Sequence, residues 1–236
     1  MPKTLLAVFA LVAFATLPYE LAGQDETDLR PGIAVMQFEN AGSHGDDAEA
    51  EDFAALEVGL QIMLTTELSQ NGALRLVERS AIQNLLAEQD LAVQGRVDAS
   101  TAAEIGRLVG ARYMVLGSFV DIFEQMRMDA RIVDVETGEL LRARGIQEQR
   151  EEIYQILIDL AAAITEGLEL PELDAEIADE RREQELPIEA VTLFSRAVRF
   201  GDAGRTEQAR EMLQRVTTEW PHFEDAQEAL QQLPTG

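Results

Sequence analysis

The chain has 236 residues, of which 46% are hydrophobic, and it carries a formal net charge of −25. This length and apolar content suffice for one domain with a hydrophobic core and a smaller second unit, whereas the acidity disfavours nucleic acids and anionic membrane surfaces as partners. The absence of cysteine excludes disulfides, thiol catalysis, Cys-ligated metal centres and a lipid anchor on cysteine. The single lysine, Lys3, and the two histidines, His44 and His222, leave few candidates for nucleophilic or metal chemistry.

The N-terminal residues have the pattern of an export signal. A short basic start, which includes Lys3, precedes an apolar run of about 14 residues, the length of a signal-peptide core and short for a membrane span. Pro18 ends the run, and Gly23 is an acceptable residue before a cleavage site. Residues 1–23 are therefore predicted to be a signal peptide, and the mature protein is predicted to be periplasmic, with association with the outer membrane left open. The alternative is a buried N-terminal helix.

The first half of the mature chain alternates predicted strands and helices. An apolar first strand ends near Phe38, and an acidic loop, in which His44 lies, is expected over residues 41–52. This loop lacks the regular ligand spacing of a calcium loop, and whether residues 45–52 bind an ion is left open. A helix over 53–72, a short strand over 73–79 and helices over 81–91 and 97–110 follow, since apolar residues recur there at helical spacing between capping and stop residues.

Three consecutive strands and a long helix are predicted next. A nearly continuous apolar run over 111–123 is typical of a central strand, and residues 125–136 alternate between apolar and charged side chains. A third alternating segment covers 139–149, and residues 151–168 carry one apolar helical stripe. The order of these elements predicts an α/β fold with a mixed β-sheet flanked by α-helices.

The acidic sequence Glu136-Thr137-Gly138-Glu139 could be a pair of catalytic carboxylates or a turn. Alternating strands flank Thr137 and Gly138, and glycine supplies the positive φ that a tight hairpin requires. A catalytic acid–base pair needs a shielded carboxyl group with a shifted pKa, which an exposed hairpin tip does not provide. Thr137 and Gly138 are therefore predicted to be a structural turn, and no catalytic, cofactor-binding or metal-binding residue is predicted.

The C-terminal quarter is predicted to be a separate helical unit. Residues 171–187 are charged, bounded by Pro171 and Pro187, and are interpreted as a linker with helical tendency. The predicted packing positions of this unit are Ala197, Phe200, Gly204, Ala209, Leu213, Val216 and Pro221. With this spacing, residues 188–236 resemble a single tetratricopeptide repeat followed by a cap helix, and the alternative is an unrelated helical hairpin. Because one repeat cannot bury its apolar face alone, the tail is expected to contact the first domain, a second copy or a partner.

Four segments in the middle of the chain carry a family resemblance: GIAVMQFEN, GLQIMLTTELSQNGALRLVERSAIQNLLAEQ, VDASTAAEIGRLVGARYMVLGSF and ARIVDVETGELL. In this order, they resemble the motifs of the CsgG-like (curli production assembly/transport) family. The resemblance covers residues 31–170. It implies a domain similar in fold to the amino-terminal domain of the TolB translocation protein and to outer-membrane lipoproteins that activate peptidoglycan synthases. It also implies a non-enzymatic role in the bacterial envelope.

The expected function is that of an exported scaffold or accessory module in secretion or envelope biogenesis, without a cofactor. Protein partners in the envelope are expected, and a homo-oligomer is possible. The alternative function is a component of an oligomeric outer-membrane export channel of the curli type. The segments available for the membrane hairpins of that channel are short in this chain, which favours the accessory role. A hydrolase is the third reading, but the sequence contains no G-x-S-x-G or H-E-x-x-H motif.

Overall fold

The computed structural model describes residues 28–42, 47–88 and 97–234. The predicted signal peptide, residues 1–23, and His44 lie outside these ranges. Within them, the strands are β1 (Gly32–Val35), β2 (Glu39–Asn40), β3 (Arg75–Leu76), β4 (Tyr113–Ile122), β5 (Gln125–Asp134) and β6 (Leu140–Gln149). The helices are α1 (Asp47–Ser69), α2 (Arg79–Glu88), α3 (Ala99–Leu108), α4 (Ile153–Gly167), α5 (Ala175–Glu183), α6 (Ile188–Asp202), α7 (Thr206–Glu219) and α8 (Glu224–Gln232).

The strands form one mixed sheet in the order β3-β1-β4-β5-β6, with β2 pairing alongside β4. Strands β1, β2 and β3 run parallel to their neighbours, whereas β4, β5 and β6 form an antiparallel meander. The strand predicted to be central, β4, is the middle strand of this order. The predicted fold class, a mixed sheet flanked by helices, is confirmed.

Each face of the sheet is covered by different helices because strand residues alternate in direction. Helices α1 and α4 cover one face, where the even-numbered residues of β5 between Met126 and Ile132 are buried. Helices α2 and α3 cover part of the other face through a smaller cluster that includes Ile82, Ile105 and Met114. The alternation predicted over residues 125–136 thus corresponds to one buried face of β5.

One segment differs from its predicted structure, and a second segment contains a helix within a predicted linker. The acidic stretch expected to be a loop over residues 41–52 becomes helical at Asp47. Acidic side chains are favourable at a helix N-terminus, because they interact with the positive end of the helix dipole. The segment interpreted as a linker with helical tendency, 171–187, contains α5, which is capped by the Asp174 carboxylate accepting from the Glu176 N–H.

The helical tail packs directly on the α/β part. Helix α6 lies along α1, and Phe194 and Val191 belong to the same hydrophobic cluster as the core residues of α1. The contact is close at Gly59, because a Cβ placed there would lie 1.8 Å from the Ser195 Oγ. The division into a domain over residues 31–170 and a separate helical unit over residues 188–236 stays a prediction. Independent folding of the first domain would require α1 to tolerate the loss of its contact with α6.

The hairpin between β5 and β6 contains Thr137 and Gly138, and Gly138 has a φ of +72°. The buried Asp134 holds this turn, since its Oδ1 accepts from the backbone N–H groups of Glu136 and Thr137 at 2.8 and 3.0 Å. Its Oδ2 accepts from Arg112 at 2.8 Å. The Glu136 and Glu139 side chains are exposed. The carboxylate with a structural role at this turn is thus Asp134, which sequence reasoning had not singled out.

The two-residue turn between β4 and β5 is built from residues that disfavour it. Phe123 and Glu124 have φ values of +55° and +63°, the geometry of a type I′ turn, which favours Asn-Gly. The Phe123 side chain is 95% exposed and contributes little packing. Combining Phe123→Asn with Glu124→Gly should therefore raise the free energy of unfolding by about 1–2 kcal/mol. Urea unfolding of both proteins measures this difference, and an unchanged midpoint would contradict the expectation.

Candidate functional site: a groove between α4 and α5

A groove of about 750 Å³ lies between α4 and α5 and is here called the α4–α5 groove. Helix α4 supplies one wall, α5 and the segment before it supply the opposite wall, and Ile146 of β6 and Glu67 of α1 also line the groove. The volume is in the range of binding pockets in proteins. The apolar lining residues are Ile146, Ile158, Ala161, Ala162, Ala163, Leu170, Leu173 and Ala178.

Charged residues of the groove are predominantly acidic. Its lining includes five carboxylates, Glu67, Asp159, Glu166, Glu169 and Glu172, and two guanidinium groups, Arg181 and Arg182. Both guanidinium groups already have carboxylate neighbours, Arg181 at Glu67 and Arg182 at Asp159. The groove therefore combines an apolar floor with a net negative rim.

A buried ion pair forms the inner end of the groove. Arg181 of α5 and Glu67 of α1 are 6% and 7% exposed, and they form a two-point hydrogen-bonded pair. The Tyr154 hydroxyl lies 2.9 Å from Glu67 Oε1, and the exposed Glu224 of α8 is 3.3 Å from Arg181. Burial opposes the charge of Arg181, but its bonds to Glu67 outweigh this effect and raise its pKa. Burial is also the main reason why the pKa of Tyr154 is raised. The pair thus fixes α5 against α1, which sets the shape of the groove.

A second buried acid, Asp225, extends this cluster into the tail. Its carboxylate accepts from the Thr66 hydroxyl, so α8 is joined to α1 next to the Glu67–Arg181 pair. Burial raises the pKa of Asp225 to about 6, with a smaller contribution from the negative charge of Glu67. The Thr66 bond and Arg181 act in the opposite direction. Asp225 is therefore a carboxyl group whose charge is costly in the folded protein.

Replacing Asp225 with asparagine should stabilise the protein at pH 7.5 and change its pH dependence. The pKa is about 6 in the folded state against an ordinary 3.8, so between these values the folded chain binds more protons than the unfolded chain. The free energy of unfolding contributed by this group therefore falls as pH rises through that window. Asparagine can still accept a hydrogen bond from Thr66, and it carries no charge that must be buried. We therefore expect the free energy of unfolding to rise by about 1–3 kcal/mol at pH 7.5 and by much less at pH 4.

Urea unfolding at pH 4, 5, 6 and 7.5 measures the effect of Asp225→Asn. Asp179→Asn is the matched control, because Asp179 is an exposed acid on α5. An equal stability difference at all four pH values would contradict the expectation.

The residues predicted to pack the repeat lie in and around the α6–α7 hairpin. Ala197, Ala209, Leu213 and Val216 are at most 1% exposed. Gly204, with a φ of +72°, lies in the connection between the two helices, and the Arg205 guanidinium stacks over the half-buried Phe200 ring at 4.1 Å. Pro221 is exposed after the end of α7. These positions describe a helical hairpin, and its identity as a tetratricopeptide repeat stays a prediction.

The residues of the α4–α5 groove were not predicted from the sequence. The sequence predicts the apolar stripe on α4, but α5 lies in the segment interpreted as a charged linker with helical tendency, and Arg181 is one of many charged residues in that segment. The sequence does contain a signal for α5, because the apolar residues Leu173 and Ala178 lie on either side of the start of the helix, next to its capping residue Asp174.

No group of three or more His, Asp or Glu side chains in residues 28–42, 47–88 and 97–234 is placed to hold a metal ion. None of the helices in these ranges combines the length and hydropathy that crossing a bilayer requires.

A protein-family model matches the N-terminal half of the chain. The family is described as "Curli production assembly/transport component CsgG", and the match covers residues 15–125. In the structure, this range includes the elements from β1 to the β4–β5 turn. The match supports the family resemblance inferred from the sequence motifs.

The chain is also similar to a curated protein, "Putative adenylate cyclase 3" of Rhizobium meliloti (strain 1021). The two are 27% identical over 192 residues, which is 79% of this chain and 30% of the relative. The chain thus spans less than a third of that protein's length.

Solved structures with a detectable likeness include the LpoB C-terminal domain from Salmonella enterica and TolB from Acinetobacter baumannii. The first is 20% identical and covers 53% of this chain and 87% of its own, with a TM-score of 0.37. The second is 18% identical and covers 60% of this chain and 29% of its own, with a TM-score of 0.41.

Proposed function

We propose that this chain is a non-enzymatic interaction module of the bacterial cell envelope, which serves as a scaffold or accessory protein in assembly or secretion. The α4–α5 groove is the observation that carries this proposal, because it is a preformed surface with an apolar floor and no arrangement of catalytic groups. The match of residues 15–125 to a curli assembly/transport family supports the envelope setting. The predicted signal peptide over residues 1–23 belongs to the same proposal, with the mature protein in the periplasm.

The groove favours a partner segment that is both apolar and basic. Apolar side chains of the partner would contact Ile158, Ala162 and Leu173 on the floor. Lysine or arginine side chains would lie near Glu169 and Glu172 at the rim, where opposite charges increase the rate of association and select the partner. A short amphipathic helix with basic flanks has this chemistry.

Filling the groove tests the proposal directly. Ala162 is an exposed alanine on α4 within the groove, and Ala162→Trp places a large ring over the floor. We expect this variant to fold normally and to lose co-purification with its envelope partner. Ala81→Trp is the matched control, because Ala81 is an exposed alanine on α2, away from the groove. Equal recovery of the partner by wild-type and Ala162→Trp proteins would contradict a role for the groove.

Two further measurements separate the proposal from other functions. The purified chain should form no cyclic AMP from ATP with magnesium or manganese, and formation of cyclic AMP would refute the non-enzymatic assignment. The alternative function, an outer-membrane export channel of the curli type, predicts that the protein stays in the membrane fraction after washing with high salt. An accessory protein of the periplasm is instead expected in the soluble fraction after the outer membrane is opened.

A further inference from the structure

Strand β6 leaves a long edge of the sheet uncovered. It runs over ten residues at the end of the strand order, and its main neighbours are β5 and α4. None of its residues whose side chains are described is buried. Residues 143–149 contain neither proline nor lysine, and the bulge in the β5–β6 ladder lies before them, near Val133. Proline, lysine and a bulge, which often prevent strand pairing at an edge, are therefore missing from this segment, and its charged side chains are those of Arg144 and Glu148.

The hydrogen bonds within the sheet show which backbone groups of β6 point outward. On β4, the carbonyl groups of Val115 and Phe119 accept from N–H groups on the β1–β2 side, so the even-numbered residues of β4 face β5. Strand pairing then directs the odd-numbered residues of β5 to β4 and its even-numbered residues to β6. The Arg150 N–H, which donates to the Glu124 carbonyl, follows the same alternation. The outward-facing N–H and C=O groups of β6 therefore belong to residues 143, 145, 147 and 149.

We propose that β6 pairs antiparallel with β6 of a second copy of this chain, with Gly145 opposite Gln147 of the other copy. In an antiparallel pair, the outward-facing residues of one strand must lie opposite outward-facing residues of the other. The register between the two β6 strands can therefore change only in steps of two residues. The proposed register places Ile146 against its own copy at the centre. It also places Arg144 of each chain opposite Glu148 of the other, so two ion pairs flank an apolar contact.

Neighbouring registers are less favourable. One shift places Arg144 opposite Arg150 of the other copy, and the opposite shift places Arg144 against Ile146 and loses both ion pairs. Like charges directly opposite each other destabilise a strand pair, whereas opposite charges and β-branched pairs stabilise it. The Arg144 side chain is accessible, with 40% of its surface exposed while it pairs with Glu166. The sequence of β6 is thus self-complementary in one register.

Sedimentation velocity of the full chain over a range of concentrations tests this interface with three variants. Gln147→Pro removes only an outward-facing N–H, so the monomer should keep its thermal transition while its dimer dissociation constant rises by at least about tenfold. Glu148→Arg should weaken the dimer by at least about tenfold as well, because each arginine then opposes another arginine. Arg144→Glu combined with Glu148→Arg restores opposite charges and should return the dissociation constant to within about threefold of the wild-type value.

Three results would overturn the proposal. The first is a wild-type chain that remains monomeric at every concentration. The second is a dimer that Gln147→Pro or Glu148→Arg does not weaken. The third is an equal dissociation constant for Glu148→Arg and for the double variant Arg144→Glu with Glu148→Arg. A monomeric chain whose binding to another protein is lost in Gln147→Pro would also refute the second copy and assign the edge to a foreign strand. Binding at the α4–α5 groove is measured independently with Ala162→Trp, so the two proposals can fail separately.

Discussion

Replacing Arg181 with methionine should lower the free energy of unfolding by about 3–5 kcal/mol. Methionine has a similar volume, but it leaves the carboxylate of Glu67 buried without its positive partner. Of the three hydrogen bonds to the Glu67 carboxylate, only the one from the Tyr154 hydroxyl would then remain. Removing one member of a buried pair is costly because the desolvation of the remaining charge is no longer compensated. Urea unfolding at pH 7.5 measures the change.

The double variant Arg181→Met with Glu67→Leu separates this explanation from simple loss of packing. If the penalty comes from an unpaired charge, removing the second charge should recover most of the lost stability. Arg182→Met is the control on the same helix, because Arg182 is exposed and lies 4.0 Å from Asp159. It should change the stability by less than about 1 kcal/mol. A similar loss in the single and double buried variants would refute the charge argument.

Replacing Gly59 with leucine should cost about 3 kcal/mol or more, because it forces α6 away from α1. Even the Cβ of alanine would lie 1.8 Å from the Oγ and 2.7 Å from the Cβ of Ser195, so Gly59→Ala should already cost about 1–3 kcal/mol. At an exposed helical site the same change to alanine would instead stabilise the helix. Thermal and urea unfolding give both values.

A matched pair of variants shows whether the α1–α6 contact is responsible. Gly72→Ala is the control, since a Cβ at Gly72 meets no atom within 4 Å. Adding Ser195→Gly to Gly59→Ala should recover part of the loss by removing the two closest atoms. Unchanged stability of Gly59→Leu would show that the tail does not lie on α1 at this point.

The sheet could be predicted well from the sequence, because the pattern of each strand is local. The alternation from Met126 to Ile132 has a period of two, and Gly138 marks the turn that follows. Strand β2 was not predicted, because two residues carry no periodic signal. The N-terminal end of α1 was placed too late, since the acidic residues before Phe53 are equally common in loops and in first helical turns.

The α4–α5 groove could not be predicted because its key contact joins residues that are far apart in sequence. Arg181 and Glu67 are 114 positions apart, and each is surrounded by other charged residues that remain exposed. The contact between α1 and α6 did have a local signal. Ala55 and Gly59 are small residues four positions apart, beside the apolar stripe that the helical spacing predicts for this helix, which consists of Leu56, Leu60, Met63, Leu64 and Leu68.

The packing of α6 against α1 has a consequence for the kinetics of folding. Arg199 of α6 donates to the carbonyl of Glu51, which lies 148 positions earlier in the chain. Contacts of such high sequence separation slow folding, because a long loop must close before they form. During synthesis from the N-terminus, the side of α1 around Gly59 stays uncovered until the last quarter of the chain is available. We therefore expect the tail to determine when the core is completed, and the nascent chain to need protection from aggregation until then.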